Sequence, residues 1–187
     1  DSVVTIHGYT CLRKDECSER RRSGGVALYM SEGLTWYEVS LSSTHIQSIW
    51  CAVCLGKERI LVGCVYRPPD ATNDYDNEII KMVVEARRRL DIREYHNMVL
   101  MGDFNLPSIE WTYDSGPTYN GACGIQTAFI NTLQDCFFEQ LTQAPTFRLN
   151  SEHHTNTLDL IITDLTQDHR ISDIQHFPPL GNLSRGH

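Results

Sequence analysis

Two stretches of the chain are apolar almost without interruption: Ile60-Leu61-Val62-Gly63-Cys64-Val65-Tyr66 and Met98-Val99-Leu100-Met101. Both are too short for a stable helix of their own, so each predicts a buried strand; the first is so apolar that both its faces should be covered. Ile49, Cys51, Val53 and Leu55 alternate with other positions within 45–55, and that segment also predicts a strand. Further strands are expected at Gly24–Met30, 34–40, 157–163 and Ile171–Ile174, with a strand edge within 1–13 and short extended pieces at 141–143 and 145–147. Gly56-Lys57-Glu58-Arg59 is a hairpin turn. Helical spacing governs two segments. Tyr75, Ile79, Ile80, Met82, Val83, Ala86 and Leu90 recur among charges in 74–92; Ile125, Phe129, Ile130, Leu133, Phe137 and Phe138 recur in 125–140. Residues 14–23 are almost all polar and 108–122 are rich in Gly, Pro and Tyr, so both are expected to be loops. Strands outnumber helices, and the helices fall between apolar strands. This predicts an α/β fold of two packed sheets with helices outside, as one domain over residues 1–187.

The ends of the apolar strands carry the candidate chemistry. Met101-Gly102-Asp103-Phe104-Asn105-Leu106-Pro107 follows one of them. Pro107 stops strand pairing, so Asp103 and Asn105 should sit at a C-terminal strand end, where open α/β sheets bind ligands. There the Asp can orient or deprotonate a water and the Asn can donate to a developing oxyanion. An Asx-turn, with Asp103 capping its own backbone, accounts for the same pair. Tyr66-Arg67-Pro68-Pro69 ends another strand in the same way. Asp159 interrupts the apolar run Leu158–Ile162 and needs a partner if buried. A histidine is the usual one, and His153, His154, His176 and His187 are available.

The formal net charge of -8 argues against a protein that binds nucleic acid mainly by neutralising phosphates, but not against an acidic centre holding a divalent cation. Arg20-Arg21-Arg22 lies in a Ser/Gly-rich stretch that could meet a phosphate, whereas Arg87-Arg88-Arg89 reads as the wet face of a helix. Seven cysteines at irregular spacing make a poor disulfide framework and point to a reducing compartment. Cys51 and Cys54 are separated by an odd interval in a strand, which puts their sulfurs on opposite faces and excludes a zinc or redox pair. Cys64 and Cys136 read as core residues. No apolar run is long enough to span a membrane and no signal peptide is visible, so an intracellular location is expected. The sequence starts in mid-pattern at Asp1-Ser2-Val3-Val4, as a partial domain would.

Several segments, in order, resemble the endonuclease/exonuclease/phosphatase family, and in particular the endonuclease domain of non-LTR retrotransposons. They are Ser23–Tyr29, Val65-Tyr66-Arg67-Pro68-Pro69, Leu100–Asn105, Pro145-Thr146, Leu158-Asp159-Leu160-Ile161 and Pro178-Pro179-Leu180-Gly181. The resemblance implies a four-layer sandwich of two mixed β-sheets flanked by helices, incomplete at the N-terminus. It implies a phosphodiesterase dependent on Mg2+ or Mn2+ that nicks DNA, nuclear if it acts on chromosomal DNA, with a reverse transcriptase domain as a partner in a longer polypeptide. It further implies that Asp103 activates the water and reaches the metal indirectly, and that Asn105 holds the transition-state phosphate oxygen. Tyr66 would contact the scissile phosphate, with Arg67 beside it, and Asp159 would orient the catalytic His187. Two family features are missing. The strands bearing the family's Asn and its metal-binding Glu have no counterpart, and the family's Ser-Asp-His is here Ser184-Arg185-Gly186-His187. An incomplete metal site and weak or no activity are therefore expected. The competing readings are a remnant that only folds or binds, and a phosphatase of the same fold.

Overall fold

The computed structural model describes residues 5–15, 25–41, 45–112, 116–119, 124–148, 154–165, 171 and 173–175. In chain order the strands are β1 (Tyr9–Asp15), β2 (Gly25–Ser31), β3 (Thr35–Glu38), β4 (Gln47–Leu55) and β5 (Glu58–Tyr66). After helix α1 (Asn73–Asp91) come β6 (Asn97–Asp103), β7 (Ile109–Thr112) and β8 (Gly116–Tyr119). After helix α2 (Ile125–Asp135) come β9 (Phe138–Gln140), β10 (Phe147–Arg148), β11 (His154–Asn156) and β12 (Asp159–Asp164).

Six strands form one mixed sheet in the order β3-β4-β5-β6-β12-β9. β5 and β6 lie at its centre and run parallel, joined through α1; every other pairing in the sheet is antiparallel. Alternation divides the sheet into two apolar faces. Trp50, Ala52, Leu61, Val65, Leu100, Leu160 and Ile162 point to one face, where they pack with Ile79, Met82, Val83 and Ala86 of α1 and Phe129, Ile130 and Leu133 of α2. Ile49, Cys51 and Val53 point to the other and pack with Val26, Leu28 and Met30 of β2. β1 and β2 form an antiparallel pair that lies over this second face. Helices, large sheet and small sheet are thus the layers of the α/β sandwich, and among the described residues β2 pairs with β1 alone.

α1 begins where Thr72 caps the Tyr75 amide, with Asp74 and Asp76 in the first turn and Arg88 and Arg89 in the last, matching the helix dipole at both ends. Its arginines are paired: Arg87 with Asp91 and Asp164, and Arg88 and Arg89 with Glu85. Arg88 alone is the solvated residue that the spacing predicts; Arg87 and Arg89 are half-buried, Arg87 against the buried Asp164 and Arg89 on the Ser40 carbonyl. Arg20-Arg21-Arg22 lies outside the described residues.

Four segments differ from the sequence reading. Lys14 and Asp15 belong to β1 rather than to a polar loop, because they pair with Val26 and Gly25. α2 stops at Asp135 instead of running to 140: Phe137 takes φ +54°, which leaves the helix, and Phe138 then enters an edge strand against β12. Phe138 is buried and Phe137 exposed, so one phenylalanine of the pair holds the core. The Gly/Pro/Tyr-rich segment contains the β7–β8 hairpin. Ile171, Asp173 and Ile174 belong to no strand.

Cys51 is buried between the sheets, where burial pushes its thiol up to about 11. Among the described residues the cysteines are free thiols.

Candidate functional site

β6 carries its polar terminus between two partners. In the parallel ladder Tyr66 stands opposite Asp103, and in the antiparallel ladder Asp159 stands opposite the same residue. One strand further out, Gln47 stands opposite Tyr66. Residues directly across from one another leave a sheet on one face. The neighbours Val65, Leu160 and Leu100 face the helices, so Gln47, Tyr66, Asp103 and Asp159 form a row on the opposite face. Tyr66 packs at the margin of the small-sheet cluster. Tyr66, Asp103 and Asp159 are half-buried, with access to solvent, whereas Gln47 is buried.

The row depends on a close approach of two backbones. Gly102 adopts φ +143°, and a Cβ there would stand 1.8 Å from the Val65 carbonyl oxygen. The glycine therefore accommodates the neighbouring strand. Past Asp103 the chain turns at Asn105, which takes the left-handed φ of +46°. Asn105 N–H donates to Asp103 Oδ1 at 3.0 Å, so the Asx-turn that spacing allowed is formed. The Asn105 side chain reaches back as well: its Nδ2 donates to Asp103 Oδ2 at 3.0 Å and to the Arg67 carbonyl oxygen at 3.1 Å. Both amide hydrogens are thereby spent within the protein. In this arrangement Asn105 fixes the Asp103 carboxylate instead of offering a donor to a phosphate oxygen.

Arg67 also differs from its expected place at a substrate phosphate. Its guanidinium is buried and forms a bidentate pair with Asp76 of α1, at 2.7 and 3.0 Å, so its donors point into the fold. Asp159 is held from the backbone side, where its N–H and that of Leu158 donate to Thr146 Oγ1 at 2.9 and 3.0 Å. This gives the Pro145-Thr146 segment a structural role beside the row. His187, expected to face Asp159, lies outside the described residues, as do His153 and His176.

Gln47 and Asp76 were missed by sequence reasoning. A signal for Gln47 does exist: it occupies the inward phase of the strand that continues Ile49, Cys51 and Val53, where a polar residue is out of pattern. Its Oε1 is buried and has no hydrogen-bond partner among the described residues. Asp76 reads from sequence as an ordinary acidic residue of a helix first turn.

Mg2+ needs several oxygen ligands in a near-octahedral shell. Among the described residues no three His, Cys, Asp or Glu side chains come together to hold a metal. The Asp103 oxygens, moreover, already accept from Asn105. The described donors therefore do not fit an inner-sphere site for a divalent cation.

Residues 60–181 match the model of a family described as endonuclease-reverse transcriptase. No curated protein matches the sequence. Among solved structures, the endonuclease domain of TRAS1, a telomere-specific non-LTR retrotransposon, is similar at a TM-score of 0.60 and 10% identity, over 86% of this chain and 69% of that one. The 3'-5' exonuclease NExo from Neisseria meningitidis is similar at a TM-score of 0.51 and 13% identity, over 84% of this chain and 67% of that one. At these identities the likeness is one of fold, and this chain spans about two thirds of each. The family match covers more than half of the sequence and includes Tyr66, Asp103, Asn105 and Asp159, and by it the chain belongs to the endonuclease-reverse transcriptase family of the endonuclease/exonuclease/phosphatase fold.

Proposed function

We propose that this chain is a phosphodiesterase of the DNA-nicking kind, working with Mg2+ or Mn2+ and weak in activity on its own. The observation that carries the reading is the row: a phenol and two carboxylates on three adjacent strands, all facing one way at the end of a parallel pair. Hydrolysis of a phosphodiester needs a base for water and a donor for the phosphate. Asp103 takes a proton from water, its carboxylate aimed by the two Asn105 donors. The Tyr66 hydroxyl donates to a phosphate oxygen. Asp159 would orient the imidazole of His187, as the resemblance implies, and that imidazole would give a proton to the leaving oxygen.

The weakness follows from the ligand set. The described residues fall short of an inner-sphere cation site, and Gly186 stands where the resembled family has an aspartate. Charge on the phosphate is then poorly offset. A DNA substrate and a reverse transcriptase in the same polypeptide are parts of the same proposal, in keeping with the family description; a nuclear place of action belongs to it where the DNA is chromosomal. No helix among the described residues is long and apolar enough to cross a membrane.

The test is nicking of supercoiled plasmid with Mg2+ and with Mn2+, beside the TRAS1 endonuclease domain and an Asp103→Ala variant. Slow nicking, abolished in the variant, is expected. A rate equal to the TRAS1 domain would show that the metal ligands have been misjudged, and nicking that survives Asp103→Ala would remove Asp103 from the chemistry. Folded protein with no nicking under either metal would favour the competing reading, a remnant that binds without cleaving.

A further inference from the structure

Arg67 and Asp76 are 6% and 7% exposed, so neither presents its charge to a substrate, yet their contacts lead to Asp103. Arg67 Nε and Nη2 are bound by the two oxygens of Asp76. Its Nη1 turns the other way and donates to the Asn105 carbonyl oxygen at 3.0 Å, and more weakly to that of Pro68 at 3.4 Å. The Arg67 backbone adds two bonds. Its N–H donates to the Asp103 carbonyl at 2.8 Å, and its own carbonyl receives Asn105 Nδ2. The first turn of α1 repeats this grip one residue back: Tyr75 Oη donates to the Tyr66 carbonyl at 2.7 Å and accepts from Gln47 N–H at 3.0 Å.

These contacts converge on a left-handed position. Asparagine tolerates φ +46° better than most residues with a side chain, and here its surroundings fix it there. Asn105 is held at its carbonyl by Arg67 Nη1 and at its amide by the Arg67 carbonyl, and from that conformation it supplies both donors to Asp103. The fold itself has little need of the ion pair, because replacing a buried pair by apolar side chains of like volume is often neutral or stabilising. An apolar pair, however, cannot grip a carbonyl oxygen.

We infer that Arg67, locked by Asp76, is a positioning residue of the candidate site: it holds Asn105 in the left-handed turn that aims the Asp103 carboxylate. The consequence for activity rests on the reading of Asp103 as the group that works on the phosphodiester; the consequence for structure does not.

The experiment combines amide hydrogen exchange with nicking kinetics on the double variant Arg67→Met/Asp76→Leu, with Arg67→Lys as a second variant and Arg88→Gln as a surface control. The expected result is exchange at the Asn105 amide at least tenfold faster, with the amides of Val99 to Met101 protected as before. In nicking, kcat should fall by about ten- to a hundredfold at nearly constant KM, in line with the cost of a misplacement of about 1 Å. Arg88→Gln should change neither. Unchanged exchange at Asn105 would overturn the inference. So would a uniform loss of protection through β5, β6 and α1, since that marks a role in the fold alone. If the double variant does not fold, Arg67→Lys decides by the same local readout, because lysine cannot serve Asp76 bidentately and Asn105 together. If the unmodified chain does not nick, the proposed activity fails and the exchange result still decides the positioning role.

Discussion

A methyl group on Gly102 would collide with the carbonyl oxygen of Val65 at 1.8 Å, in the ladder position just before Tyr66 meets Asp103. The contact is with backbone, which cannot swing aside as a flexible side chain can. Gly102→Ala combines that clash with a backbone φ that alanine disfavours, and should cost roughly 3 kcal/mol or more. Urea unfolding should show a lower midpoint. Any folded fraction should lose nicking, because relief of the clash parts β6 from β5 next to Asp103. A variant as stable and as active as the parent would show that the two strands are not in this register.

Gly63 offers a comparison away from the site. A Cβ there would lie 2.5 Å from the Trp50 ring, on the helix-facing side of the large sheet. Gly63→Ala overpacks a site whose obstacle is a side chain, so it should destabilise by about 1–3 kcal/mol and leave the row in place. Thermal melts should separate the two glycine variants: Gly63→Ala lowers Tm at unchanged specific activity per folded molecule.

Gln47 should behave in the opposite way. Its Oε1 is buried without a hydrogen-bond partner among the described residues, a state that costs on the order of 1–3 kcal/mol. Gln47→Met keeps the volume and removes the unsatisfied acceptor. Stability should rise by about 1 kcal/mol on the same scale, while nicking falls because a polar member of the row next to Tyr66 is gone. A drop in Tm would mean that the amide is satisfied in solution by a bridging water.

A pH effect on stability is expected from Glu85. Hydrogen bonds from Arg88 and Arg89, with their charges, hold its carboxyl down at about 2 against an ordinary value of 4.5. A carboxyl depressed in the folded state stabilises the fold above its ordinary range, and that contribution is lost as pH falls from about 4.5 towards 2. The group is partly solvated, so the effect is small. Glu85→Gln should melt about 1–3 °C lower than the parent at pH 7, and the gap should narrow from about pH 4.5 and close towards pH 2. A gap that persists undiminished near pH 2 would locate the effect elsewhere.

The frame was legible in the sequence for a definite reason. The runs Ile60–Tyr66 and Met98–Met101 are apolar on both phases, which only central strands sustain, and Pro68 and Pro107 follow their ends. That was enough to set Tyr66, Asp103 and Asn105 at strand termini, and the break at Asp159 added a third strand. What sequence could not show was direction. Arg67 next to Tyr66 invites a phosphate, but the adjacent position on a strand faces the opposite side, and Asp76 waits there. Phe137 and Phe138 fit a helical stripe as well as a strand edge, and only pairing with β12 decides between them. The β7–β8 hairpin was hidden by Gly116 and Pro117, residues that short isolated hairpin strands tolerate and long central strands do not.

The two ladders that build the row close loops of very different kinds. Tyr66 and Asp103 meet across a parallel crossover, and Asp159 joins from much further along the chain. Non-local pairings of this sort form late and slowly. During synthesis, β5, α1 and β6 can therefore collapse while Asp103 still lacks one flank. A ribosome product released before Asp159 has no complete row, however well its earlier segments have folded. A row built in this way is withheld from interrupted translation products, so that only a chain translated past Asp159 can assemble Tyr66, Asp103 and Asp159 together.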